Sequence, residues 1–238
     1  MQGVQLFATL DDAWGGFAGR YLSSLRDEYP KTCIWLWGLT SPMNQVPREK
    51  RQLRIANTAQ SIADACSLAS MVVPLSLPGR LPGRISLDPA SPWHVSSVMG
   101  TAVESALLPT RLASRPGLQP SLMWDVAEGL NTTGTQTLAK LKMTVGDAAS
   151  NSSESEDQDD AHDQIDFFGL GKMKGSLPRS KRTRIFGQVS CYRGSGPGEE
   201  DGQAEAKDVR ARRLPGDPIV QKLVASSATP VRSDLITC

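Results

Sequence analysis

A short stretch near the start of the chain combines two carboxylates with two glycines, and it is the segment best suited to chemistry. It reads Asp11-Asp12-Ala13-Trp14-Gly15-Gly16-Phe17. Glycines at a helix start let backbone N–H groups approach a bound phosphate. Carboxylates together with phosphate oxygens commonly hold Mg²⁺. A carboxylate at this place also caps a helix by accepting from its first free N–H groups. Two interpretations are therefore open: a phosphate and magnesium loop, or a helix cap.

The elements that would position this stretch are a helix and a buried strand. Apolar residues recur after Asp12 at the spacing of one helical face, namely Trp14, Phe17, Ala18, Tyr21, Leu22 and Leu25. Pro30 predicts the end of the helix, because the residue before a proline avoids helical angles. The run from Cys33 to Leu39 is almost entirely apolar, as expected of a strand covered on both faces in an α/β sheet.

The amino-acid sequences of these segments resemble those of tubulins. Tubulins carry a Q-G-F-Q stretch, a glycine-rich phosphate loop, a helix ending in an R-E-E-Y-P-like turn, and then a strand. The same order and spacing are found here in Gln2-Gly3-Val4-Gln5, the loop, and Arg26-Asp27-Glu28-Tyr29-Pro30. The version D-D-A-W-G-G-F followed by C-I-W-L-W-G-L is most similar to the Misato family, tubulin-like proteins of mitochondrial distribution and inheritance.

The resemblance places four residues at vestigial positions of a nucleotide site: Asp11, Gly15, Gly16 and Asn57. The tubulin loop reads G-G-G-T-G-S-G, and only Gly15 matches one of its glycines. Carboxylates replace the leading glycines, and like charge beside a phosphate is repulsive. Asn57, with Ser61 four residues later, keeps the spacing of a tubulin asparagine that contacts guanine. A polar helix residue touching a loop is the alternative for Asn57. We expect no catalytic residue, no metal site and no bound cofactor, GTP being the alternative.

Composition indicates an ordered portion diluted by disorder. The 238 residues are 39% hydrophobic, with 21 glycines and 16 prolines. Lys and Arg number 26 against 25 Asp and Glu, so net charge predicts no specific nucleic-acid binding. No apolar run is long enough to cross a bilayer, and no signal-peptide pattern opens the chain. Cys33 and Cys66 lie in apolar segments and are predicted to be core thiols.

Further elements follow the first strand. The pattern predicts a helix over residues 48–71, whose basic first turn opposes the helix dipole and favours a start nearer Gln52. A short apolar segment at 71–77 precedes a helix over 92–108, and weaker signals predict a helix over 122–130 and a strand over 137–145. Residues 185–194 alternate as a strand and end in Y-R-G, which resembles a strand of the second tubulin domain.

Between these elements lies a charge-segregated segment. Residues 150–166 are acidic and serine-rich, and Ser153 and Ser155 are candidates for phosphorylation. A basic block runs from Lys172 to Arg184. Such blocks bury too little apolar surface to order themselves. The basic block either pairs with the acidic block or makes weak electrostatic contact with acidic lipid head groups or nucleic acid.

The predicted fold class is α/β. It is a partial tubulin/FtsZ-like fold that lacks the front half of the nucleotide-binding domain and carries a disordered acidic/basic insert. The expected divisions are a tubulin-like α/β segment at 1–112, a poorly defined connection at 113–146, the insert at 147–184, and a second-domain strand with a flexible tail at 185–238. The chain is thus expected to be the back part of a longer protein.

The function that the resemblance implies is non-enzymatic. It is a role in mitochondrial partitioning, distribution and mitochondrial DNA inheritance, with unknown protein partners at the mitochondrial surface. The expected location is the cytoplasm and the cytosolic face of the mitochondrion. Two alternatives stay open: a GTP-binding and hydrolysing tubulin-like protein, and a truncated product without independent function.

Overall fold

The fold is built on a three-stranded parallel sheet. The computed structural model describes residues 3–42, 46–77, 81, 85, 87–111, 121–145, 164–168, 187–193, 219–225 and 231–237. Strands β1 (Val4–Thr9), β2 (Ile34–Thr40) and β3 (Met71–Ser76) pair in the order β1-β2-β3. Helix α1 (Ala13–Glu28) connects β1 to β2, and α2 (Arg48–Leu68) connects β2 to β3. These are the βαβ units that parallel pairing requires.

The parallel sheet is covered on both faces, as its apolar sequence predicts. Along β2, Ile34 and Leu36 face the layer that contains α1 and α2. Trp35 and Trp37 face the opposite layer. All four side chains are at most 1% exposed. The predicted strand at 33–39 and the apolar segment at 71–77 are therefore confirmed as β2 and β3.

The buried face of α1 coincides only in part with the predicted one, in Ala18 and Leu22. Gly15, Ala18 and Leu22 are buried, whereas Trp14, Phe17 and Tyr21 are exposed by 62%, 58% and 44%. Both sets follow the helical period, one residue out of phase. The reason is steric, because α1 packs closely on α2 and only small side chains fit between the two helices.

Helix α2 shows the same departure. Apolar and small residues recur at helical spacing on α2 from Ile55 to Ala69 and predict its inner face, but Ile55 is 52% exposed. The buried residues are instead Thr58, Ser61 and Ala65. The helix also begins at Arg48 rather than near Gln52, with Pro47 as its N-cap residue and no side-chain cap. The helix thus starts directly after Pro47, although basic residues in the first turn interact unfavourably with the helix dipole.

Two more helices pack on the other face of the sheet. Helix α3 spans Pro92–Arg111 and α4 spans Met123–Leu130. The predicted end of α3 at Leu108 is wrong, since the helix continues through Pro109. Leu107, Pro109 and Thr110 are buried, and the Thr110 hydroxyl donates to the Leu107 carbonyl at 2.8 Å. Tertiary packing therefore holds the last turn.

A second, mostly antiparallel sheet completes this layer. Its order is β5-β4-β8-β6-β7, and only the β6–β7 pair is parallel. The strands are β4 (Ala139–Val145), β5 (Gln164–Asp166), β6 (Gly187–Arg193), β7 (Ile219–Ala225) and β8 (Val231–Thr237). The Val72 amide on β3 donates to the Thr137 carbonyl just before β4 at 2.7 Å, which joins the two sheets.

The second sheet corrects two expectations. Strand β5 lies inside the segment predicted as disordered, because Ile165 and Phe167 are buried in the core at 1% and 0% exposure. Strands β7 and β8 lie in the tail predicted as flexible, and β8 is the central strand between β4 and β6. The rest of the predicted insert, including Ser153, Ser155 and the block of residues 172–184, lies outside the described residues.

The predicted α/β class is confirmed. The predicted strand over 185–194 is β6, and Val189 and Cys191 point into the core as the alternation predicts. None of the described helices is long and apolar enough to cross a bilayer.

Candidate nucleotide-binding loop

The loop between β1 and α1 lies at the carboxyl end of the parallel strands, where open α/β sheets bind their ligands. Its first residue, Leu10, is fully buried, and the Leu10 amide donates to the Leu39 carbonyl at 2.8 Å. A Cβ atom on Gly38 would come within 2.2 Å of Leu10 Cδ1. Gly38 therefore makes room for Leu10, which fixes the start of the loop.

Asp12 is the N-cap of α1, as one of the two sequence interpretations proposed. Its extended backbone is followed directly by the helix, and its Oδ1 accepts from the Trp14 amide at 2.9 Å. The Thr9 hydroxyl donates to the same oxygen. The Gly15 amide donates to the Asp12 carbonyl at 3.2 Å. Two amides of the first helical turn are therefore already committed to Asp12.

Asp11 is buried and serves the surrounding backbone. Its side chain is 2% exposed, and its Oδ2 lies 3.8 Å from Arg54 Nε. The Ser41 amide, after β2, donates to Oδ2 at 3.2 Å. Asp11 Oδ1 has no hydrogen-bond partner among the described residues. The carboxylate thus ties together the ends of β1 and β2 and the start of α2.

The two glycines have different surroundings. A Cβ on Gly15 would lie 2.2 Å from Ser61 Oγ and 2.8 Å from the Leu10 carbonyl. Gly15 therefore allows α1 and α2 to approach each other. Gly16 is exposed, and a Cβ there would have no atom within 4 Å. Gly15, the one glycine that matches the tubulin loop, therefore serves the packing of α1 against α2.

Asn57 and Ser61 both reach back to the loop from α2. Asn57 Nδ2 donates to the Asp11 carbonyl at 3.3 Å. Ser61 Oγ donates to the Leu10 carbonyl at 3.1 Å in a buried position. Both side chains therefore use their polar groups to hold the loop backbone, which matches the interpretation of Asn57 as a helix residue touching a loop.

The structure brings Asn57 into contact with Asp11 and places Gly15 against Ser61 and the Leu10 carbonyl, while Gly16 faces outward. The arrangement does not fit a phosphate cradle. Its Trp14 and Gly15 amides are engaged by Asp12, Ser61 fills the space beside Gly15, and the loop carries two carboxylates, whose charge repels a phosphate. Among the described residues, no three His, Cys, Asp or Glu side chains cluster as metal ligands do.

Sequence reasoning missed the roles of Arg54 and Ser41. Arg54 lies three residues before Asn57 and so on the same side of α2. That spacing was an available signal. Nothing in the sequence marks Ser41, since it contributes a backbone amide rather than a side chain.

The thiols near the parallel sheet behave as core groups. Burial raises the pKa of the Cys33 thiol, with smaller lowering effects from Trp35, Ser70 and Arg26. Burial also raises the pKa of Cys66, against a hydrogen bond to Thr137 that lowers it. Thiols held protonated in this way are poor nucleophiles and poor metal ligands.

The parallel sheet, its two connecting helices and this loop define a tubulin-like α/β protein. Residues 1–112 match the family model described as "Tubulin domain". The chain is 38% identical over 235 residues to "Protein DML1" of Gibberella zeae, covering 97% of this chain and 46% of that protein. It is 38% identical to "Protein DML1" of Coccidioides immitis, covering 82% of this chain and 40% of that protein. It is 42% identical to "Protein dml-1" of Neurospora crassa, covering 60% and 27%.

The chain belongs to the Misato family of tubulin-like proteins, to which these DML1 proteins also belong. The resemblance that the loop and the strand after it indicated is thereby confirmed. The chain spans less than half the length of the curated relatives to which it is compared.

Proposed function

We propose that this chain is a non-enzymatic tubulin-like protein that takes part in mitochondrial partitioning, distribution and mitochondrial DNA inheritance. It acts from the cytoplasm and the cytosolic face of the organelle, where it meets protein partners. The mitochondrial role is what membership of the Misato family implies. The non-enzymatic character is supported by the loop itself.

The observation that carries the proposal is that polar groups of this chain already occupy the loop. Asp12 accepts from the Trp14 and Gly15 amides, Ser61 fills the space beside Gly15, and Asn57 donates to the Asp11 carbonyl. A phosphate would have to displace these contacts and then approach two carboxylates. The same contacts fix three segments of chain to one another, so the loop works as scaffolding.

Binding of labelled GTP in the presence of magnesium tests the non-enzymatic part. We expect no saturable binding by the full chain at micromolar nucleotide and no release of phosphate. Micromolar affinity that is lost in Asn57→Ala would overturn the proposal. The Gly16→Ala variant is the matched control, because that position faces outward and adds no clash.

One observation favours the second candidate function, a GTP-binding protein. Asp11 Oδ1 is buried without a hydrogen-bond partner among the described residues, and a magnesium ion bridging it to a phosphate would satisfy it. If that candidate were correct, Asp11→Asn would weaken magnesium-dependent GTP binding. On our proposal Asp11→Asn has no binding to weaken.

Cell fractionation tests the mitochondrial part. We expect the chain to sediment with mitochondria and to be digested by protease added without detergent. Deleting its gene is expected to cause unequal partitioning of mitochondria and loss of mitochondrial DNA. A chain that stays in the supernatant, in cells whose deletion strain keeps its mitochondrial DNA, would contradict this role.

A further inference from the structure

The parallel sheet has an open edge at β1. This strand lies at the end of the order β1-β2-β3, and among the described residues no strand pairs with its outer side. Proteins normally protect such an edge from pairing with charged residues, a proline or a bulge. Strand β1 has none of these, since its sequence is V-Q-L-F-A-T and its register with β2 is continuous. The edge is therefore competent to pair with another strand.

The hydrogen bonds to β2 show which backbone groups of β1 point to the open side. The Val4 amide donates to the Cys33 carbonyl at 2.9 Å. Residues of a strand bond alternately to the neighbours on its two sides, so every second residue from Val4 onward faces β2. The amides and carbonyls of Gln5, Phe7 and Thr9 therefore point outward.

Burial of the sheet also ends at β1. All residues of β3 and the first five of β2 are buried, whereas no residue of β1 is fully buried. Phe7 is 52% exposed, although its ring stacks on Trp37 with centroids 6.1 Å apart. Parallel sheets are normally covered on both faces. The described fold thus leaves apolar surface uncovered along this edge.

The exposed aromatic side of α1 faces in the same direction. Helix α1 packs on β1 and α2 packs on β3, and Gly15 and Gly19 face α2. Helical spacing then puts Phe17 and Tyr21 on the side of α1 away from α2, which is the side of the open edge. Their rings stack with centroids 6.0 Å apart and are 58% and 44% exposed. Edge and helix form one uncovered surface, which we call the β1 surface: Gln5, Phe7, Thr9, Phe17 and Tyr21.

We propose that the β1 surface binds a second copy of this chain, with the two β1 strands antiparallel about a two-fold axis normal to the sheet. An antiparallel strand at the edge of an otherwise parallel sheet is common, and two-fold dimers are the commonest soluble oligomers. The two parallel sheets then form one sheet of six strands. The inference does not rest on the proposed function, since neither a mitochondrial role nor nucleotide binding enters it.

The sequence of β1 complements itself in this arrangement. Phe7 is the middle one of the three outward-pointing residues, so an axis beside it pairs Phe7 with the partner's Phe7 and Gln5 with the partner's Thr9. Aromatic side chains directly opposite each other stabilise a sheet. On the other face the same register pairs Leu6 with the partner's Ala8. Because β1 carries no charge, two copies meet without repulsion, and the strand offers nothing that selects a charged partner instead.

The flanking helices fit the same axis. Leu22 of α1 packs in one cluster with residues of β1 and β2, so the helix lies above both strands. Adjacent strands are about 4.8 Å apart, which places the two copies of α1 about 10 Å apart, the distance between helices in contact. Phe17 and Tyr21 lie near the middle of α1 and pack there against their counterparts.

The surface is large enough to contribute much of a stable interface. Phe7, Phe17 and Tyr21 are each about half exposed, so burying them removes on the order of 100 Å² per ring from water. The six rings of two copies give roughly 600 Å², about half the area of a small but specific interface. The paired strand edges add to this area.

Analytical ultracentrifugation of the full 238-residue chain tests the inference. We expect a monomer–dimer equilibrium for wild type. Phe7→Pro removes an outward amide but no hydrogen bond to β2, and it should weaken dimerisation at least about tenfold, because each dimer loses two central hydrogen bonds and two rings. Phe7→Val keeps the amide and should lie between the two. Trp93→Ser is the matched control and should dimerise as wild type does, since Trp93 is 80% exposed on α3 and lies outside the surface.

A second variant leaves the strand untouched. Phe17→Ser/Tyr21→Ser changes only exposed side chains of α1 and should also weaken dimerisation about tenfold, because four rings leave the interface. Circular dichroism compares the helix content of all variants with that of wild type. If Phe7→Pro unfolds the chain, the double variant decides the test.

A cross-link tests the register independently of affinity. In the proposed pairing the two Cα atoms of residue 7 lie about 5.5 Å apart, a distance that a disulfide spans. Phe7→Cys should therefore give a disulfide-linked dimer under mild oxidation, measured on a non-reducing gel against the wild-type background. Gln5→Cys is the matched control on the same face of β1. Its two copies lie about 14 Å apart and should not cross-link.

Three results would overturn the inference. The first is a wild-type chain that stays monomeric at micromolar concentration or forms only species larger than a dimer. The second is a dimer that the Phe17→Ser/Tyr21→Ser variant leaves as tight as in wild type. The third is a dimer in which Phe7→Cys does not cross-link, or cross-links no better than Gln5→Cys. None of these results bears on the mitochondrial role, which cell fractionation and gene deletion test separately.

Discussion

The two faces of the parallel sheet are packed by different means. On one face, α1 and α2 approach each other through Gly15, Ser61 and Ala65, with hydrogen bonds to backbone carbonyls. On the other, large side chains such as Trp35, Trp37 and Leu107 fill a continuous core. The first face is tight and intolerant of added atoms, and the second is bulky and intolerant of lost ones. The candidate loop belongs to the tight face, so its residues are constrained by packing whether or not a ligand binds.

Removing bulk from the large-residue face should have the greatest effect. Trp37 is fully buried, and its indole nitrogen has no hydrogen-bond partner among the described residues. Trp37→Ala therefore costs packing alone, and we expect a loss of about 3–5 kcal/mol in the free energy of unfolding. Urea unfolding of the full chain measures it. Trp93→Ala is the matched control and should change stability little, because Trp93 is 80% exposed. Equal losses in the two variants would contradict this account of the bulky face.

Adding a single methyl group to the tight face should have the next largest effect. In Gly15→Ala the new Cβ meets Ser61 Oγ at 2.2 Å and the Leu10 carbonyl at 2.8 Å. We expect a loss of about 1–3 kcal/mol, typical of overpacking. Gly16→Ala, one residue later, meets no atom within 4 Å and should be neutral or stabilising by up to about 1 kcal/mol, because alanine favours helix.

The double variant Gly15→Ala/Ser61→Ala sharpens this test. Removing Ser61 Oγ relieves the shorter contact, while the Leu10 carbonyl stays in place. We therefore expect the double variant to lose less stability than the sum of the two single variants. If Gly15→Ala and Gly16→Ala behaved alike, close approach of the helices would not be the role of Gly15.

The contrast between the faces also explains what could be predicted from the sequence. Strand β2 was recognisable because both of its faces are apolar, and β6 because Val189 and Cys191 alternate. Helix α1 was placed correctly, and Ala18 and Leu22 were correctly assigned to the core, but Trp14, Phe17 and Tyr21 were not. Hydrophobicity favours the aromatic set of Trp14, Phe17 and Tyr21, whereas the steric limit at α2 selects a smaller set one residue away. The hydrophobicity pattern of one helix gives no information about how closely a second helix packs against it.

Four strands, β1, β5, β7 and β8, were not predicted from the sequence. For β5 and β8 the reason is that their signals are long-range. Strand β5 is only three residues long and lies in a charged segment. It forms because Ile165 and Phe167 pack into the hydrophobic core beside β3 and β4. Strand β8 carries Asp234, whose buried carboxylate is paired with Arg232 at 2.9 Å, so it does not read as a central strand. At the candidate loop, the positions of the candidate site residues were predictable from the resemblance to the tubulin loop sequence. Their partners Arg54 and Ser41 were not, because those contacts depend on how α2 and the end of β2 converge.

The smallest expected effect concerns the thiols on the two faces. Cys33 belongs to the bulky core and Cys66 packs against the tight one. Burial raises the pKa of each above its usual value of 9.0, so at alkaline pH the folded chain keeps protons that the unfolded chain releases. Stability is therefore unaffected below the unfolded pKa and falls as pH rises from about 9 towards the folded pKa. Urea unfolding at neutral and alkaline pH should show a smaller alkaline loss in Cys33→Ala and in Cys66→Ala than in wild type, because alanine cannot ionise. Other alkaline groups cancel in that difference. If the free energy of unfolding depended on pH in both variants as it does in wild type, burial on these faces would not raise the thiol pKa values.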